Sequence, residues 1–311
     1  MNTTKLILLA VLIFLFPFFF WGGPVYSSSR SLIHFWNIGH IIFFAAATYL
    51  IVVHFQASLS TKSFGFQFFW MLFFVLFSGI AIEIAQYGTD RLPDPDDLLR
   101  NVIGSFTGLF FFSPSRKMIG KSLLRILQFL VLILLVLEVL PLAAALVDEA
   151  DQKRKFPVLA DFESPLEITR WSGSAEIEIV PDAQGSLNHY LKIKLGTSEY
   201  SGVFLKFFPH EWSEFRKLTF TIFNPAPDSF YLTCRIHDRQ HALGRQEHSD
   251  RFNRSYLLEP GMNTLTIALE DILHAPEART MNVDEISSVG FFVTRQTKPR
   301  IIYLDDLKLI Q

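Results

Sequence analysis

The sequence has almost no cysteine: Cys234 is the only one among 311 residues. An intramolecular disulfide is therefore excluded, so any exported part must be held together by core packing. Net charge is also small, because 28 Lys and Arg residues oppose 30 Asp and Glu residues. A formal net charge of -2 provides no long-range field that would attract nucleic acid, so we expect no nucleic-acid partner. Cys234 lies in the run FYLTCRIH and is predicted to be a small core residue.

Charged residues are scarce in the first half of the chain. Up to about Val147, long Phe, Leu and Ile runs alternate with short polar connectors, whereas the sequence beyond Asp148 has the mixed composition of a globular protein. Hydrophobic residues make up 50% of the chain and its mean hydropathy is +0.29, which together make it too apolar on average for an ordinary soluble protein. The composition predicts a multi-domain chain: a polytopic α-helical membrane bundle at 1–147, a linker at 148–155 and an exported domain at 156–311.

Apolar runs predict about five membrane spans, at residues 6–21, 33–55, 64–86, 98–112 and 123–147. A helix needs roughly 20 apolar residues to cross the hydrocarbon, which the second, third and fifth runs satisfy and the first and fourth barely approach. The first run resembles a signal peptide in length, but no small-x-small cleavage pattern follows it. We therefore expect it to be retained, with membrane lipid as its surroundings.

Basic residues in the short loops set the predicted orientation. They precede the first span and lie between the second and third and between the fourth and fifth, which makes that side cytoplasmic. The opposite side also carries basic residues, but those at 153–155 open a long domain, and such domains are translocated largely regardless of charge. The sequence predicts a multi-pass inner or plasma membrane protein with a cytoplasmic N-terminus and a periplasmic or extracellular C-terminal domain.

Polar residues recur near the predicted outer ends of the three middle spans. His40 lies on the second span, Glu83 and Gln86 share a face of the third, and Asp97 and Asn101 share a face of the fourth. Ionisable groups inside a span are costly and usually turn inward to a partner or a cavity. The pattern predicts a ligand-binding pocket at the outer leaflet, formed by His40, Glu83, Gln86, Arg91, Asp97 and Asn101, with Glu138 of the fifth span as a further member.

The same residues have structural interpretations. The acidic run before the fourth span is a good helix start, so capping would explain Asp97. Gly104 and Gly108 form a GxxxG motif, which more often indicates close helix packing than chemistry. Capping does not account for three polar residues that lie within apolar runs, Glu83, His40 and Asn101, and for these we favour a functional site.

The order and spacing of seven of these residues resemble the signature of the VanZ-like family of small polytopic bacterial membrane proteins: Glu83, Gln86, Arg91, Asp97, Asn101, Gly104 and Gly108. His40 lies where that family tends to carry a histidine, although FWNIGH replaces the family's usual Asp-Lys pair before it. The resemblance covers the first four spans. It implies a cell-envelope protein with a link to antibiotic resistance of the glycopeptide (teicoplanin) type.

Beyond Phe156 short alternating segments recur between Pro, Gly, Asn and Asp residues, such as EIEIV, YLKIKL, VFLKFF, LTFTIF, FYLTCRI, TLTIAL, GFFVT and IIYLDDLKL. This pattern predicts an all-β sandwich or jelly roll. ADFESP and YLDDLKL resemble the ends of the galactose-binding-like jelly rolls common among carbohydrate-binding modules. The resemblance implies paired first and last strands and a structural calcium held by Asp161, Glu163, Asp305 and Asp306. Alternatively, exposed acids on edge strands suppress aggregation.

A cation-rich stretch, RIHDRQHALGRQEHSDRFNR, is the second candidate site. Guanidinium and imidazole donors beside aromatic rings suit a sugar, which presents hydroxyls at its rim and a flat C–H face. The predicted glycan-binding residues are Trp171, Trp212, Arg235, His237, His241 and Arg251. Two alternatives are a zinc site at His237, His241 and His248, for which no tight ligand spacing exists, and a solvated polar sheet face.

Together these patterns favour a membrane pocket and an external sandwich that bind envelope glycan or a lipid-linked saccharide. In a second hypothesis the bundle is an enzyme, a hydrolase or transferase acting on a lipid-linked envelope intermediate. Its candidate catalytic residues are His40, Glu83 and Asp97, as general acid and base or as ligands of a divalent ion. In a third hypothesis the bundle is only an anchor.

Overall fold

The computed structural model describes residues 3–20, 23–24, 28–86, 95–181 and 188–311. The chain divides into two compact units, Met1–Ala144 and Ala145–Gln311. The first is helical and the second is dominated by strands, as the change in composition predicts.

The helical unit contains α1 (Thr3–Leu15), α2 (Arg30–His54), the single turn α3 (Gln56–Leu59), α4 (Phe64–Gln86), α5 (Pro95–Thr107) and the first part of α6 (Lys121–Lys155). A 3-10 turn at Phe16–Phe19 follows α1, a π turn at Gly108–Phe112 extends α5, and a 3-10 turn at Pro114–Met118 leads towards α6. Ser29 caps α2 by accepting a hydrogen bond from the Leu32 amide.

Three of these helices, α2, α4 and α6, are long and apolar enough to cross a membrane. Each of the five predicted spans overlaps a helix, but five spans are not confirmed, because the other two helices fall short. The first apolar helix, Lys5–Phe19, ends at the 3-10 turn that contains Pro17. The fourth begins with Asp96 and Asp97, and its polar residues lower its hydropathy.

Helices α2 and α5 pack closely through two glycines. A Cβ atom at Gly104 would collide with the carbonyl oxygen of Ile41, and one at Gly108 would collide with that of Ala45. The GxxxG motif therefore acts in helix packing here, which is its usual role. Close approach of these backbones brings the polar faces of α2 and α5 together.

Residues 148–155, predicted as a linker, form the last two turns of α6 and belong to the second unit. Within that unit, Arg170 forms a buried ion pair with Asp148, and the side-chain amide of Gln152 donates to the Phe207 carbonyl at 2.7 Å. These contacts stabilise the helix where a charged sequence alone indicates a connector.

The second unit is an antiparallel β-sandwich, with 11 strands in its described residues, 145–181 and 188–311. They are β1 (Val158–Ala160), β2 (Trp171–Gly173), β3 (Glu176–Pro181), β4 (His189–Leu195), β5 (Tyr200–Leu205), β6 (Lys217–Asn224), β7 (Phe230–Asp238), β8 (Phe252–Leu258), β9 (Gly261–Ala268), β10 (Ile286–Thr294) and β11 (Arg300–Ile310). Two one-turn helices, α7 (Arg239–Leu243) and α8 (Leu269–Leu273), follow β7 and β9.

One sheet has the order β3-β4-β11-β6-β9, with β1 also paired to β11, and the other has the order β2-β5-β10-β7-β8. The pairing of β1 with β11 agrees with the expectation that the first and last strands meet. Inward side chains alternate along each strand and form one core. Cys234 lies in that core, as predicted, and burial raises the pKa of its thiol.

Candidate functional site

The helical unit contains a polar cluster formed by residues of α2, α5 and α6. His40 Nδ1 lies 2.9 Å from Oδ1 of Asn101, and His40 Nε2 lies 3.3 Å from Oδ2 of Asp97. Arg100 donates from Nη1 to Oδ1 of Asp97 at 2.6 Å and from Nε to Oε2 of Glu138 at 3.2 Å. The side chains of His40, Asp97 and Asn101 are buried. Charged groups from three helices therefore satisfy one another, as an apolar surrounding requires.

Three of the six predicted pocket residues meet in this cluster: His40, Asp97 and Asn101. Gln86 instead donates from Nε2 to the Phe19 carbonyl at 2.6 Å, and Glu83 is half-buried in the last turn of α4. Arg91 lies outside the described residues. Arg100 is a member that the sequence interpretation missed, although it lies four residues before Gly104 on the same face as Asp97.

An apolar groove borders the cluster. Its volume is about 320 Å³. Its lining includes the imidazole of His40 and aromatic side chains of α1, α2 and the turn after α1, namely Phe14, Phe18, Phe19, Phe35 and Trp36. The Phe19 ring meets the His40 imidazole edge to face, with centroids 4.8 Å apart. This arrangement suits a ligand with an apolar chain and a polar end near His40.

The second candidate site is the outer face of the five-stranded sheet, which we call the outer sheet face. One row of register partners crosses all five strands, in the order Ser172, Phe204, Gly290, Arg235 and Asn253. Neighbours along the strands point inward to the core. The residues of this row, and every second residue along each strand from them, therefore share one surface.

An aromatic strip runs along this face. The Phe292 ring lies between Tyr200 and Phe204, with centroid separations of 6.2 and 6.5 Å. Tyr200 is exposed and the two phenylalanines are half-buried. Two glycines make room for the rings, because a Cβ at Gly202 would collide with Phe292 and a Cβ at Gly290 would collide with Phe204.

Polar atoms that lack a hydrogen-bond partner lie on the same face as this strip. Within the described residues, several buried side-chain atoms of this region have no hydrogen-bond partner: His237 Nδ1, His241 Nε2, Arg251 Nε, Asn253 Oδ1 and Ser288 Oγ. Buried polar groups are nearly always paired, so a group of orphaned atoms on one face calls for an explanation. A bound ligand would supply the missing partners.

Four cationic or imidazole side chains form what we call the basic cluster: Arg235, His237, His241 and Arg251. The two imidazole centroids lie 4.8 Å apart, and the Arg235 guanidinium lies 5.7 Å from the centroid of the Phe204 ring. Burial, together with the charges of Arg235, His241 and Arg251, lowers the pKa of His237 to about 3. Burial and both arginines also lower the pKa of His241.

Two of the predicted glycan-binding residues, Trp171 and Trp212, lie in the core of the sandwich. Trp171 packs in the core against Phe162 and Phe291, and Trp212 is fully buried with its indole donating to the Pro209 carbonyl at 2.9 Å. The prediction that they form a sugar platform is wrong, because neither ring reaches the surface. Strand alternation contains the signal that was missed: Phe204 and Phe292 fall between inward residues such as Val203 and Phe291.

The zinc alternative has no support in the described part of the chain, which contains no group of three or more potential His, Cys, Asp or Glu metal ligands. His237 and His241 are adjacent, but His248 is exposed on the 3-10 turn His248–Asp250. His241 Nδ1 instead lies 3.2 Å from Oδ2 of Asp250.

The outer face of the other sheet differs from the outer sheet face. Its lysines pair with acids on the neighbouring strand, Lys192 with Glu178 at 3.2 Å and Lys194 with Glu176 at 2.7 Å. These are exposed cross-strand pairs, typical of a solvated surface. The solvated alternative for the cation-rich stretch on the five-stranded sheet stays open.

The four predicted calcium ligands have partners within the protein. Asp161 pairs with Lys155 at 2.7 Å, Glu163 with His189 at 3.0 Å and Asp306 with Lys308 at 3.1 Å. Asp305 accepts from Nδ2 of Asn188 at 2.8 Å. Within the described residues these four carboxylates do not form a group that could hold a metal ion, so the calcium site stays a prediction without structural support. Burial and the carboxylates of Asp306 and Glu163 raise the pKa of Asp305 to about 6.

Asp305 makes the stability of the sandwich depend on pH and, if calcium binds there, on calcium. Its pKa in the folded chain lies above the ordinary value of 3.8, so the folded state retains the proton longer than the unfolded state. The stabilisation is fully present below pH 4 and is lost as pH rises through about 6. We expect the free energy of unfolding to fall by about 1–2 kcal/mol over that range after solvent screening is allowed for.

Thermal unfolding at pH 4.5 and 7.5, in a chelator and in millimolar Ca²⁺, measures both effects. Calcium should raise the melting temperature at pH 7.5, where Asp305 is ionised, and should do little at pH 4.5. Asp305→Asn should abolish both the calcium response and this part of the pH dependence. Equal melting temperatures at pH 7.5 with calcium and with chelator would eliminate the calcium site.

No protein-family model matches the chain, and no curated protein matches it. Among solved structures, a family 11 carbohydrate-binding module from Clostridium thermocellum, in complex with a β-1,3-1,4-mixed-linked tetrasaccharide, is 20% identical with a TM-score of 0.39, over 49% of this chain and 94% of that chain. A family 30 carbohydrate-binding module is 12% identical with a TM-score of 0.34, over 45% and 91%.

An exo-β-agarase is 19% identical with a TM-score of 0.38, over 49% of this chain and 24% of that chain. These similarities lie over the C-terminal half of the chain, and at such identities and TM-scores they assign neither a ligand nor an activity to it. The VanZ-like resemblance of the helical unit is matched by no family model and stays a prediction.

Proposed function

We propose that this chain is a membrane-anchored glycan-binding protein of the bacterial cell envelope. The observation that carries the proposal is the outer sheet face, where an aromatic strip borders buried polar atoms that have no partner in the described residues. Sugars need both features, because their C–H faces stack on rings and their hydroxyls satisfy donors and acceptors. On the six-stranded sheet, by contrast, Lys192 and Lys194 are already paired with Glu178 and Glu176.

The membrane half of the proposal rests on α2, α4 and α6, each of which can span a bilayer. We propose that the chain is multi-pass, with about five spans, a cytoplasmic N-terminus and an exported sandwich, on the loop charges alone. The ligand of the sandwich would then be envelope glycan or a lipid-linked saccharide. The VanZ-like spacing supports a role in glycopeptide resistance, which a change in teicoplanin susceptibility on deletion of the gene would test.

Loss of an exposed ring should weaken glycan binding. We expect Tyr200→Ala and Phe292→Ala each to lower the affinity of the full chain for its glycan by about fivefold, since a lost aromatic stack costs about 1 kcal/mol. Isothermal titration of the detergent-solubilised chain against soluble envelope glycan fragments and neutral and acidic oligosaccharides measures this.

The matched control is Phe223→Ala, which removes a ring that stacks 6.0 Å from Tyr303 on the other sheet. It should leave the affinity unchanged. Failure of the wild-type chain to bind any saccharide in the panel would remove the proposed function, and an equal loss in all three variants would show that the outer sheet face is not the site.

The polar cluster favours one alternative, a membrane-embedded hydrolase or transferase. His40 contacts both a carboxylate and an amide and also lines the apolar groove, so it combines a possible acid-base group with space for a lipid chain. Incubation of the purified chain with a lipid-linked saccharide tests this alternative. Turnover that depends on His40 supports it, and an unchanged substrate eliminates it.

A further inference from the structure

We propose that the outer sheet face selects an anionic saccharide, one carrying a carboxylate or a sulfate, through the basic cluster. This inference rests on the proposed glycan binding and adds the charge of the ligand. Its starting point is that Arg235, His237, His241 and Arg251 lie together at one end of this face, and that Arg251 forms no ion pair within the described residues.

Arg251 provides the clearest observation. It is half-buried, its Nε has no hydrogen-bond partner, and within the described residues it forms no ion pair. Other arginines of this unit differ, because Arg170, Arg279 and Arg300 each bind an aspartate. A partly buried guanidinium without a counter-charge is costly, so a negative group brought by a ligand would stabilise it.

Two acids beside the basic cluster, Asp238 and Asp250, are already paired with an arginine. Arg279 donates to Asp238 at 2.6 Å and to Asp250 at 2.6 Å, so one guanidinium holds both carboxylates. Asp250 in turn lies 3.2 Å from Nδ1 of His241, which leaves Nε2 of that ring as the atom without a partner. Asp238 and Asp250 therefore orient the basic cluster, but neither supplies a counter-charge to Arg251.

The chemistry of Arg251 favours an acceptor, because a guanidinium can only donate. A carboxylate or sulfate accepts such hydrogen bonds and also balances the charge. The other orphaned atoms suit the hydroxyls of the same saccharide, because Asn253 Oδ1 accepts and Ser288 Oγ can donate or accept. His241 Nε2 likewise accepts when Nδ1 of that ring donates to Asp250. The aromatic strip and the guanidinium would therefore hold the sugar ring and its anionic group, respectively.

The test compares saccharides that differ only in charge. Oligogalacturonate is compared with its full methyl ester, and dextran sulfate with dextran, in titrations of the full chain in neutral detergent. We expect at least one anionic member to bind more than tenfold more tightly than its neutral partner at low salt, with the difference shrinking at high salt. Arg251→Gln should remove most of that difference.

Two variants control for folding and for net charge. Arg251→Lys keeps the charge but loses the planar donor pair, so its anion affinity should be intermediate. Arg254→Gln removes the same charge three residues further along the chain, in β8, but Arg254 is exposed and pairs with Asp271, so it should leave the preference intact. If Arg254→Gln lost the preference for anionic saccharides to the same extent, the preference would depend on net charge alone, and the proposal would be overturned.

The remaining outcomes separate the two proposals. Equal affinity for charged and neutral partners, or binding of neutral saccharides alone, overturns the anionic ligand and leaves glycan binding intact. Binding of none of the four probes, nor of any saccharide in the wider panel, overturns both.

Discussion

Asp148→Ala is expected to lower the free energy of unfolding of the sandwich unit by about 3–5 kcal/mol. Asp148 and Arg170 are almost fully buried, with side chains 0% and 1% exposed. Arg170 donates from Nε to Oδ2 at 2.9 Å, from Nη2 to Oδ1 at 2.8 Å, and from Nη1 to the Leu159 carbonyl at 3.1 Å. Removal of the carboxylate leaves a buried guanidinium without its counter-charge, which is among the costliest single changes.

The fluorescence of Trp171 and Trp212, both buried in this unit, reports its thermal unfolding in a chain whose other three tryptophans, Trp21, Trp36 and Trp70, are replaced by Phe. A loss of this size should lower the melting temperature by about 10 °C for a unit of this length. Arg154→Ala is the matched control, because it breaks the exposed pair with Asp151, in which Arg154 is 79% exposed, and should change stability by less than about 1 kcal/mol.

The double variant Asp148→Leu with Arg170→Met separates the charge effect from packing. Replacing both members of a buried pair by apolar residues is often nearly neutral, so it should recover much of the lost stability. A melting temperature within 1 °C of wild type for Asp148→Ala would contradict the proposed role of the pair.

The alternation of apolar residues predicts most of the sandwich. Segments such as EIEIV, LTFTIF and FYLTCRI lie in β3, β6 and β7, because a half-buried strand places every second side chain in the core. The three-residue strands β1 and β2 are too short to show a period. The charged end of α6 also has no apolar pattern from which a helix could be predicted. Its helix is stabilised instead by contacts with Arg170 and Phe207, which are distant in sequence.

The candidate sites are less predictable, because they depend on which side chains meet. Helical spacing places His40, Asp97 and Asn101 on inward faces, and the structure brings these three together. Residue type alone misleads for Trp171 and Trp212, since a large ring suits a core as well as a sugar. The unpaired state of Arg251 depends on the position of every acid around it, which no local pattern contains.

Asp97→Ala should be the most damaging single change in the helical unit. It removes a carboxylate that contacts both Arg100, at 2.6 Å, and His40, at 3.3 Å. We expect the unfolding free energy in detergent to fall by about 3 kcal/mol, measured by the loss of helical circular dichroism during thermal or SDS titration. Asp96→Ala, in the same turn but exposed, should cost less than about 1 kcal/mol.

Asp97→Asn then separates a structural cluster from a chemical one. The amide keeps the size of the side chain and an oxygen that accepts from Arg100 or His40, but it has no negative charge to balance the guanidinium and cannot accept a proton. If the cluster only holds α2, α5 and α6 together, stability should fall part of the way and saccharide binding should be unchanged. If His40 and Asp97 act as an acid-base pair, turnover of a lipid-linked saccharide should fall at least about a hundredfold in protein that still folds and binds. Wild-type stability with no loss of binding or turnover would contradict both roles, because a buried carboxylate between a histidine and an arginine cannot lose its charge without effect if either role is real.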